Sequence, residues 1–402
     1  MLPIFQKCED YTTARDAMAA GVYPYFHELE SRQDTEVVME GQRRIMLGSN
    51  NYLGLTVHPE VIAAGAAALE QYGSGCSGSR FLNGTLNLHN RLEKELAAYI
   101  GKDEAVTFST GFQSNLGIIS AIAGRHDTIL CDRENHASIY DACRLSYADT
   151  VRYFHNDMED LEKKLAKLPI DGGKLIVTDG VFSMSGDVAN LPKIVELAKK
   201  YNAAVMVDDA HGFGVLGEGG RGTAAHFGLT DEVDIIMGTF SKSLASLGGY
   251  MVASSRVCEY VRHNSRPFIF SASIPPASCA TALAALKVIR ENPGLPTRLT
   301  GLATYMRAGL EKRGVKISHS ATGDLVPIIP FYTYDMMTTL AVSKRLYERG
   351  VYVNPVLPPA APADGCMLRT SLMASHTEEL LDEAMDIIAE TLAEFHIGEE
   401  KQ

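Results

Sequence analysis

"AAVMVDDAH" (203–211) is the stretch on which the fold turns. Side chains alternate between the two faces of a strand, so an unbroken apolar run from Ala203 to Val207 cannot have one wet face. It reads as a strand buried on both sides, and it ends abruptly in Asp208, Asp209 and His211. Four further runs share this design: "DTILCD" (127–132), "KLIVTDG" (174–180), "VDIIMGT" (233–239) and "GGYMVAS" (248–254). Between several of them, "MEDLEKKLAKL" (158–168) and "LPKIVELAKKYN" (191–202) space their apolar residues as amphipathic helices do. Buried strands alternating with such helices predict an α/β fold built on a mainly parallel sheet covered on both faces.

The pattern changes beyond about residue 275. "PPASCATALAALKVIRENP" (275–293) reads as a bridging helix, and a second α+β region follows. That region contains "GVKIS" (314–318), "LVPIIPFY" (325–332), a helix around "TTLAVSKRLYERG" (338–350), a strand "VYVNP" (351–355) and a final helix "TEELLDEAMDIIAETLAEF" (377–395). The Pro-rich "NPVLPPAAPADG" (354–365) is too constrained for a helix or a central strand and reads as a loop near a ligand. The expected organisation is an N-terminal segment (1–48), a large domain (49–285) and a small C-terminal α+β domain (286–402).

The chain has 402 residues, 46% hydrophobic and 21% charged, which suits a globular protein with an ample core. A net charge of -12 argues against a nucleic-acid binder, although a local pocket can still take an anion. The seven cysteines are scattered singly, without a C-x-x-C, so neither a disulfide framework nor a structural metal site is expected, and a reducing cytoplasm fits. "MLPIFQKCEDYTT" lacks the layout of a signal peptide, and no apolar run approaches the roughly 20 residues of a membrane span.

In open α/β sheets, ligands bind beyond the carboxyl ends of the strands. Four strand ends offer Asp208, Asp209 and His211; Thr239 and Lys242; Asp179 and Ser183; and His136. Two glycine-rich stretches, "GSGCSG" (73–78) and "GEGGRG" (217–222), match G-x-G-x-x-G, but neither follows a strand and opens a helix as a dinucleotide site requires. "FSTGFQSN" (108–115) suits an anion better, because Ser109, Thr110 and Gly111 lead into a helix starting near Phe112. Lys242 stands in "GTFSKSLASLGGY" (238–250), among small uncharged residues that let a ligand approach closely.

Pyridoxal 5′-phosphate needs a lysine for its aldehyde, a carboxylate facing its ring nitrogen, a cup for its phosphate and a flat group against its ring. Lys242, Asp208, the Ser109–Gly111 turn and His136 supply that set. A metal hydrolase using Asp208, Asp209, His211 and His136 would be the competing chemistry, but no compact ligand spacing appears.

The motifs "SNNYLGL" (49–55), "GSGCSGSRFLNGT" (73–85), "FSTGFQSN", "DGVFSMSGD" (179–187), "MVDDAHGFGVLG" (206–217) and "GTFSKSLASLGG" (238–249) together resemble the α-oxoamine synthases. These are fold-type I pyridoxal-phosphate transferases that condense an amino acid with an acyl-CoA and release CO2. The resemblance runs from about "YPYFHELES" to "LRTSLMASHT" and implies a seven-stranded large-domain sheet, a smaller C-terminal domain and a homodimer with sites at the interface. It implies that Lys242 carries the cofactor, Asp208 partners the ring nitrogen, His211 bonds the ring's phenolic oxygen and His136 stacks on the ring. Gly111 and Phe112 would offer backbone to the cofactor, with Ser183 and Thr239 placing ring and phosphate and Ser273 reaching the partner's phosphate. Arg369 and Asn50 would line the pocket for the substrate carboxylate. "SRFLNGT" and "NPVLPPAAPADGCMLRTSLMASHT" look most like the soluble bacterial branch that takes L-serine and a long-chain acyl-CoA. The branches represented by 8-amino-7-oxononanoate synthase and 2-amino-3-ketobutyrate CoA ligase are the alternatives.

Overall fold

A computed structural model describes residues 2–358 and 360–398. An N-terminal hairpin is formed by β1 (Glu36–Met39) and β2 (Gln42–Met46). The middle of the chain supplies β3 (Glu104–Phe108), β4 (Asp127–Asp132), β5 (Asp149–Tyr153), β6 (Gly173–Asp179), β7 (Ala204–Asp208), β8 (Ile235–Thr239) and β9 (Gly249–Ala253). These make one seven-stranded sheet in the order β3-β9-β8-β7-β6-β4-β5. The five strands from β8 to β5 are parallel; β9 is antiparallel to both β8 and β3. The mainly parallel sheet expected from the apolar runs is therefore present. The runs also show why it is buried twice. Leu130, Ile176, Val205, Val207 and Ile236 face one core with Leu161 and Ile194 of the two predicted helices. Their neighbours Ile129, Cys131, Val177, Met206 and Ile235 face a second core with Ile118, Ile119 and Ile139.

Two sheet strands were not visible as apolar runs. β3 ("EAVTF") and β5 ("DTVRY") carry polar residues along their length, and β5 lies at the sheet edge, mostly exposed.

In the C-terminal region, β10 (Ile328–Tyr334), β12 (Asn354–Val356) and β13 (Cys366–Ser371) form a separate sheet, while β11 (Val351–Tyr352) joins the N-terminal hairpin beside β2. "VYVNP" is thus not one strand: the chain passes from one sheet to the other at Val353. "GVKIS" contributes only a bridge between Ile317 and Phe331. The Pro-rich stretch opens as the edge strand β12, where Pro355 needs no central ladder bond; Pro359, within it, lies outside the described residues. The helices run Met158–Leu165, Leu191–Tyr201, Pro276–Glu291, Met336–Glu348 and Glu378–Glu394. No helix among the described residues is long and apolar enough to cross a membrane.

One polar knot ties the large sheet to the C-terminal region. His155 Nδ1 lies 3.0 Å from Asp132 Oδ1 and Nε2 lies 3.1 Å from Asp187 Oδ2. Asp187 Oδ1 accepts from Ser320 Oγ at 2.6 Å and from the Ala321 amide at 2.8 Å. Burial would push the imidazole down, but the hydrogen bonds to Asp132 and Asp187 overcome it and raise His155 to about 10. A group whose folded pKa is raised stabilises fully below its unfolded value, here 6.5, and loses that contribution as pH climbs through about 10. The melting-temperature gap between wild type and His155→Gln is therefore expected to be widest below about pH 6.5 and to narrow as pH climbs toward 10. A gap independent of pH counts against the charged state of His155.

Candidate active site

The carboxyl ends of β4, β6, β7 and β8 point to one edge of the sheet. So does the end of β3, because two antiparallel pairings restore its direction. A cavity of about 220 Å³ opens there, lined by Gly111, Phe112, Asn115, His136, Asp208, His211, Thr239 and Lys242 among others. Gly111, Phe112, His136, Asp208, His211, Thr239 and Lys242, all named from the sequence, thus meet in one cavity. Asp179 joins them, while Ser183, Ser273, Asn50 and Arg369 do not line it.

Asp208 is the last residue of β7 and is almost fully buried. Its Oδ2 accepts from Asn115 Nδ2 at 2.7 Å and its Oδ1 from the Ala210 amide at 3.1 Å. Asn115 also donates to Ser138 Oγ at 2.9 Å, and that hydroxyl lies 2.7 Å from His136 Nδ1. Since Ser138 accepts from Asn115, its proton goes to Nδ1, which leaves Nε2 of His136 protonated. One asparagine therefore fixes both the carboxylate and the imidazole. Asn115 follows Gly111 by four residues and so shares its helix face; that spacing was the available signal for it.

Lys242 lies in a loop folded back on the end of β8. The Phe240 amide donates to the Gly248 carbonyl at 2.9 Å, and Phe240 stacks on Tyr250 at 5.7 Å. Gly248 has φ of 142°, and a Cβ there would strike the Phe240 ring at 2.5 Å. The glycines after the lysine thus serve the loop's return. Burial pushes the Lys242 amine down to about 8, with Asp208 and Asp179 resisting and Arg369 assisting. Burial pushes His136 down against the pull of Asp208, with Lys242 assisting, and pushes His211 well down, with Lys242 and then Arg369 assisting.

The helix Gly111–Ile122 is capped by Thr110, whose side chain accepts from the Gln113 amide at 3.1 Å. Its start presses on the sheet: a Cβ on Gly111 would sit 2.8 Å from Thr239 Oγ1. First-turn amides and the Thr239 and Ser241 hydroxyls therefore face the same corner of the cavity, a setting that favours an anion.

Arg369, on β13, is buried, and its described partners are all neutral. Nε donates to the Ser183 carbonyl, while Nη2 reaches Asn50 Oδ1 at 3.0 Å and Tyr52 OH at 3.2 Å. Tyr52 OH lies 2.6 Å from His211 Nδ1, so Tyr52 links the arginine to the cavity wall. With Nδ1 accepting from Tyr52, Nε2 of His211 carries its proton. Tyr52 had no separate signal in the sequence. Asn354 of the Pro-rich stretch pairs with Arg369 in the sheet, which puts that stretch beside this site.

Two sequence-named residues face elsewhere. Asp209 accepts from the Thr223 amide at 2.8 Å and its hydroxyl at 2.6 Å, and a Cβ on Gly212 or Gly222 would collide with it. It braces the 212–222 loop, so the metal-hydrolase set of Asp208, Asp209, His211 and His136 is not assembled. Ser273 donates to the Gly84 carbonyl at 2.7 Å, outside the Lys242 cavity. Among the described residues no cluster of metal-ligating side chains occurs.

The donor set fits pyridoxal 5′-phosphate: an amine of lowered basicity, a carboxylate fixed by hydrogen bonds, an anion corner and a flat imidazole surround one cavity.

Residues 43–388 match the family model for aminotransferase class I and II. The chain is 52% identical over 381 residues to a serine palmitoyltransferase of Bacteroides thetaiotaomicron, spanning 95% of this chain and 96% of that one. It is 44% identical over 370 residues to 8-amino-7-oxononanoate synthase 1 of Bacillus subtilis, spanning 92% and 93%. A solved structure of SPT with its PLP internal aldimine superposes with a TM-score of 0.94 at 38% identity, covering 99% of each chain.

In the ligand-free protein, pH-dependent acetylation read by mass spectrometry should give Lys242 a midpoint near 8, below that of surface lysines. Asp208→Asn should lower it further, because the carboxylate favours the charged amine. A Lys242 midpoint equal to the surface lysines would overturn this environment.

Proposed function

The chain belongs to the aminotransferase class I and II family and, within it, to the α-oxoamine synthases, and from that premise we propose that it acts as a serine palmitoyltransferase. It condenses L-serine with palmitoyl-CoA to 3-oxosphinganine, CoA and CO2, the entry to sphingolipid synthesis. The observation that carries the chemistry is the Lys242 amine and the Asp208 carboxylate in the wall of one cavity. The choice of branch rests on the higher identity to the serine palmitoyltransferase, 52% against 44%.

When bound, pyridoxal 5′-phosphate supplies an aldehyde for an amine and a protonated ring that takes up the electrons of a carbanion. Lys242 would hold the aldehyde carbon, and Asp208 would keep the proton on the ring nitrogen. His211 Nε2–H would donate to the phenolic oxygen, and His136 would lie against the ring. Gly111, Phe112 and Thr239 would hold the phosphate end at the helix start, with Ser183 assisting from behind Arg369. Arg369 and Asn50 would take the carboxylate of L-serine, whose charge answers a buried guanidinium otherwise surrounded by neutral groups. Once the serine amine has taken its place at the aldehyde carbon, Lys242 would be free, and its amine, brought down to about 8, would accept the α proton of serine near neutral pH.

The working form we propose is a cytoplasmic homodimer. Phe112 and Leu247 of the cavity wall are exposed, as are Leu82 at 76% and Phe270 at 79%, apolar groups that a second copy would cover. Ser273 would then reach the partner's phosphate.

Lys242→Ala is expected to abolish both product and the absorbance band of the lysine-bound cofactor. Arg369→Ala is expected to weaken L-serine binding by roughly 2–5 kcal/mol while leaving palmitoyl-CoA affinity intact. The product masses formed from serine, glycine and alanine against a panel of acyl-CoAs decide the branch: a preferred product from alanine and a short acyl-CoA would replace this reading with an 8-amino-7-oxononanoate synthase.

A further inference from the structure

The turn between β6 and the next helix carries Ser183 and Asp187 four residues apart, and each makes a different kind of contact. The Ser183 carbonyl accepts from Arg369 Nε. Asp187 is a hub for three chain segments. His155 Nε2 and Asn156 Nδ2, both after β5, reach its Oδ2 at 3.1 Å. Ser320 Oγ and the Ala321 amide, from the C-terminal region, reach its Oδ1 at 2.6 and 2.8 Å. The turn itself closes through Phe182 N to Asp187 O at 2.8 Å and Gly186 N to Phe182 O at 3.0 Å. The His155 ring meets the Phe182 ring edge-on at 4.3 Å. A Cβ on Gly186 would lie 2.8 Å from the carbonyl of Ile328, the first residue of β10, and Ile328 pairs with Ser371, two residues beyond Arg369 on β13.

His155 is charged by geometry. Both ring nitrogens face carboxylates, Asp132 and Asp187, with Glu134 at 3.7 Å from Nε2, and ionised carboxylates only accept. The turn is therefore gripped at one end by an imidazolium and an Asp187 carboxylate, and its other end aims a carbonyl at the guanidinium. Nothing in cofactor binding requires this knot, which lies outside the Lys242 cavity.

We propose that Asp187 and His155 are positioning residues for amino-acid substrate recognition: they fix the 182–187 turn so that the Ser183 carbonyl holds Arg369 in the orientation that takes a substrate carboxylate. This rests on the reading of Arg369 given above. The knot also spans the large sheet and the C-terminal region that carries Arg369, so it sets the register between the two parts of the substrate site.

The test uses the holoenzyme and four variants: Asp187→Asn, His155→Gln, Ser320→Ala and Arg369→Ala. L-Serine and serinamide affinities are read from spectral titration, with kcat and both KM values alongside. Asp187→Asn and His155→Gln should weaken L-serine binding about tenfold, with kcat within about threefold and KM for palmitoyl-CoA unchanged. Serinamide, which lacks the carboxylate, should bind these variants as it binds wild type. In an Arg369→Ala background the same substitutions should add nothing. Ser320→Ala, which removes one donor from Asp187 and leaves His155 in place, should give a smaller loss of the same kind and serves if the other variants fail to fold. Unchanged L-serine affinity in all three variants, with Arg369→Ala impaired, overturns this inference and spares the reading of Arg369. Equal losses for serinamide, or losses that persist without Arg369, reduce the knot to a structural role and overturn it too. An unimpaired Arg369→Ala overturns the reading of Arg369 itself.

Discussion

A buried carboxylate at the end of an all-apolar strand is the constraint around which this site is built. A buried carboxylate is costly without donors, and Asp208 gets them from Asn115 and from the Ala210 amide. A second carboxylate, Asp179, stands beside it in register on the neighbouring strand. Asp179 has little to hold a charge: one amide, from His136, lies 3.3 Å away. Burial, then the neighbouring Asp208, push it well above the usual carboxylate range. The cavity thus combines a hydrogen-bonded carboxylate with an amine of reduced basicity and two imidazoles whose basicity burial lowers.

Close backbone approach is the second requirement, and glycine meets it at two places. Gly249 opens β9 directly against the helix start, where a Cβ would lie 2.8 Å from the Gly111 Cα. Gly111 itself touches Thr239 at the end of β8. Helix start and strand end are thereby brought together, so amides and hydroxyls converge on one corner. A larger side chain at either glycine would push the helix away from the sheet and open that corner to water.

What the sequence revealed, and what it hid, divides along a physical line. Strands buried on both faces announce themselves as apolar runs, so β4 and β6 to β9 were legible, and their polar ends located His136, Asp179, Asp208, His211, Thr239 and Lys242 as neighbours. β3 and β5 contain too many polar residues to stand out. "VYVNP" read as one strand because local propensity carries no information about which sheet each half joins. Asp209 and Asp208 are adjacent in sequence and look equivalent, but side chains alternate across a strand, and only one can face the cavity. Tyr52, Asp187 and His155 were hidden because their importance lies in partners 23 to 317 residues away along the chain. No local pattern encodes such pairings.

Arg369 connects these layers. Its charge is buried among a carbonyl, an amide oxygen and two hydroxyls, none of which neutralises it. That field reaches Lys242 and helps hold the amine down. An anion paired with Arg369 cancels that part of the push, so the amine becomes a stronger base when a carboxylate is in place. Coulomb energy in a partly buried setting is large enough for such a shift to matter, about 4 kcal/mol for unit charges 4 Å apart at an effective dielectric of 20, and less with distance. With the roles proposed for Arg369 and Lys242, substrate recognition and proton removal would be coupled through one guanidinium, without a moving part. The arginine's direction is therefore consequential, since a side chain that swings away from Ser183 changes the anion site first, and the more distant field at the amine much less.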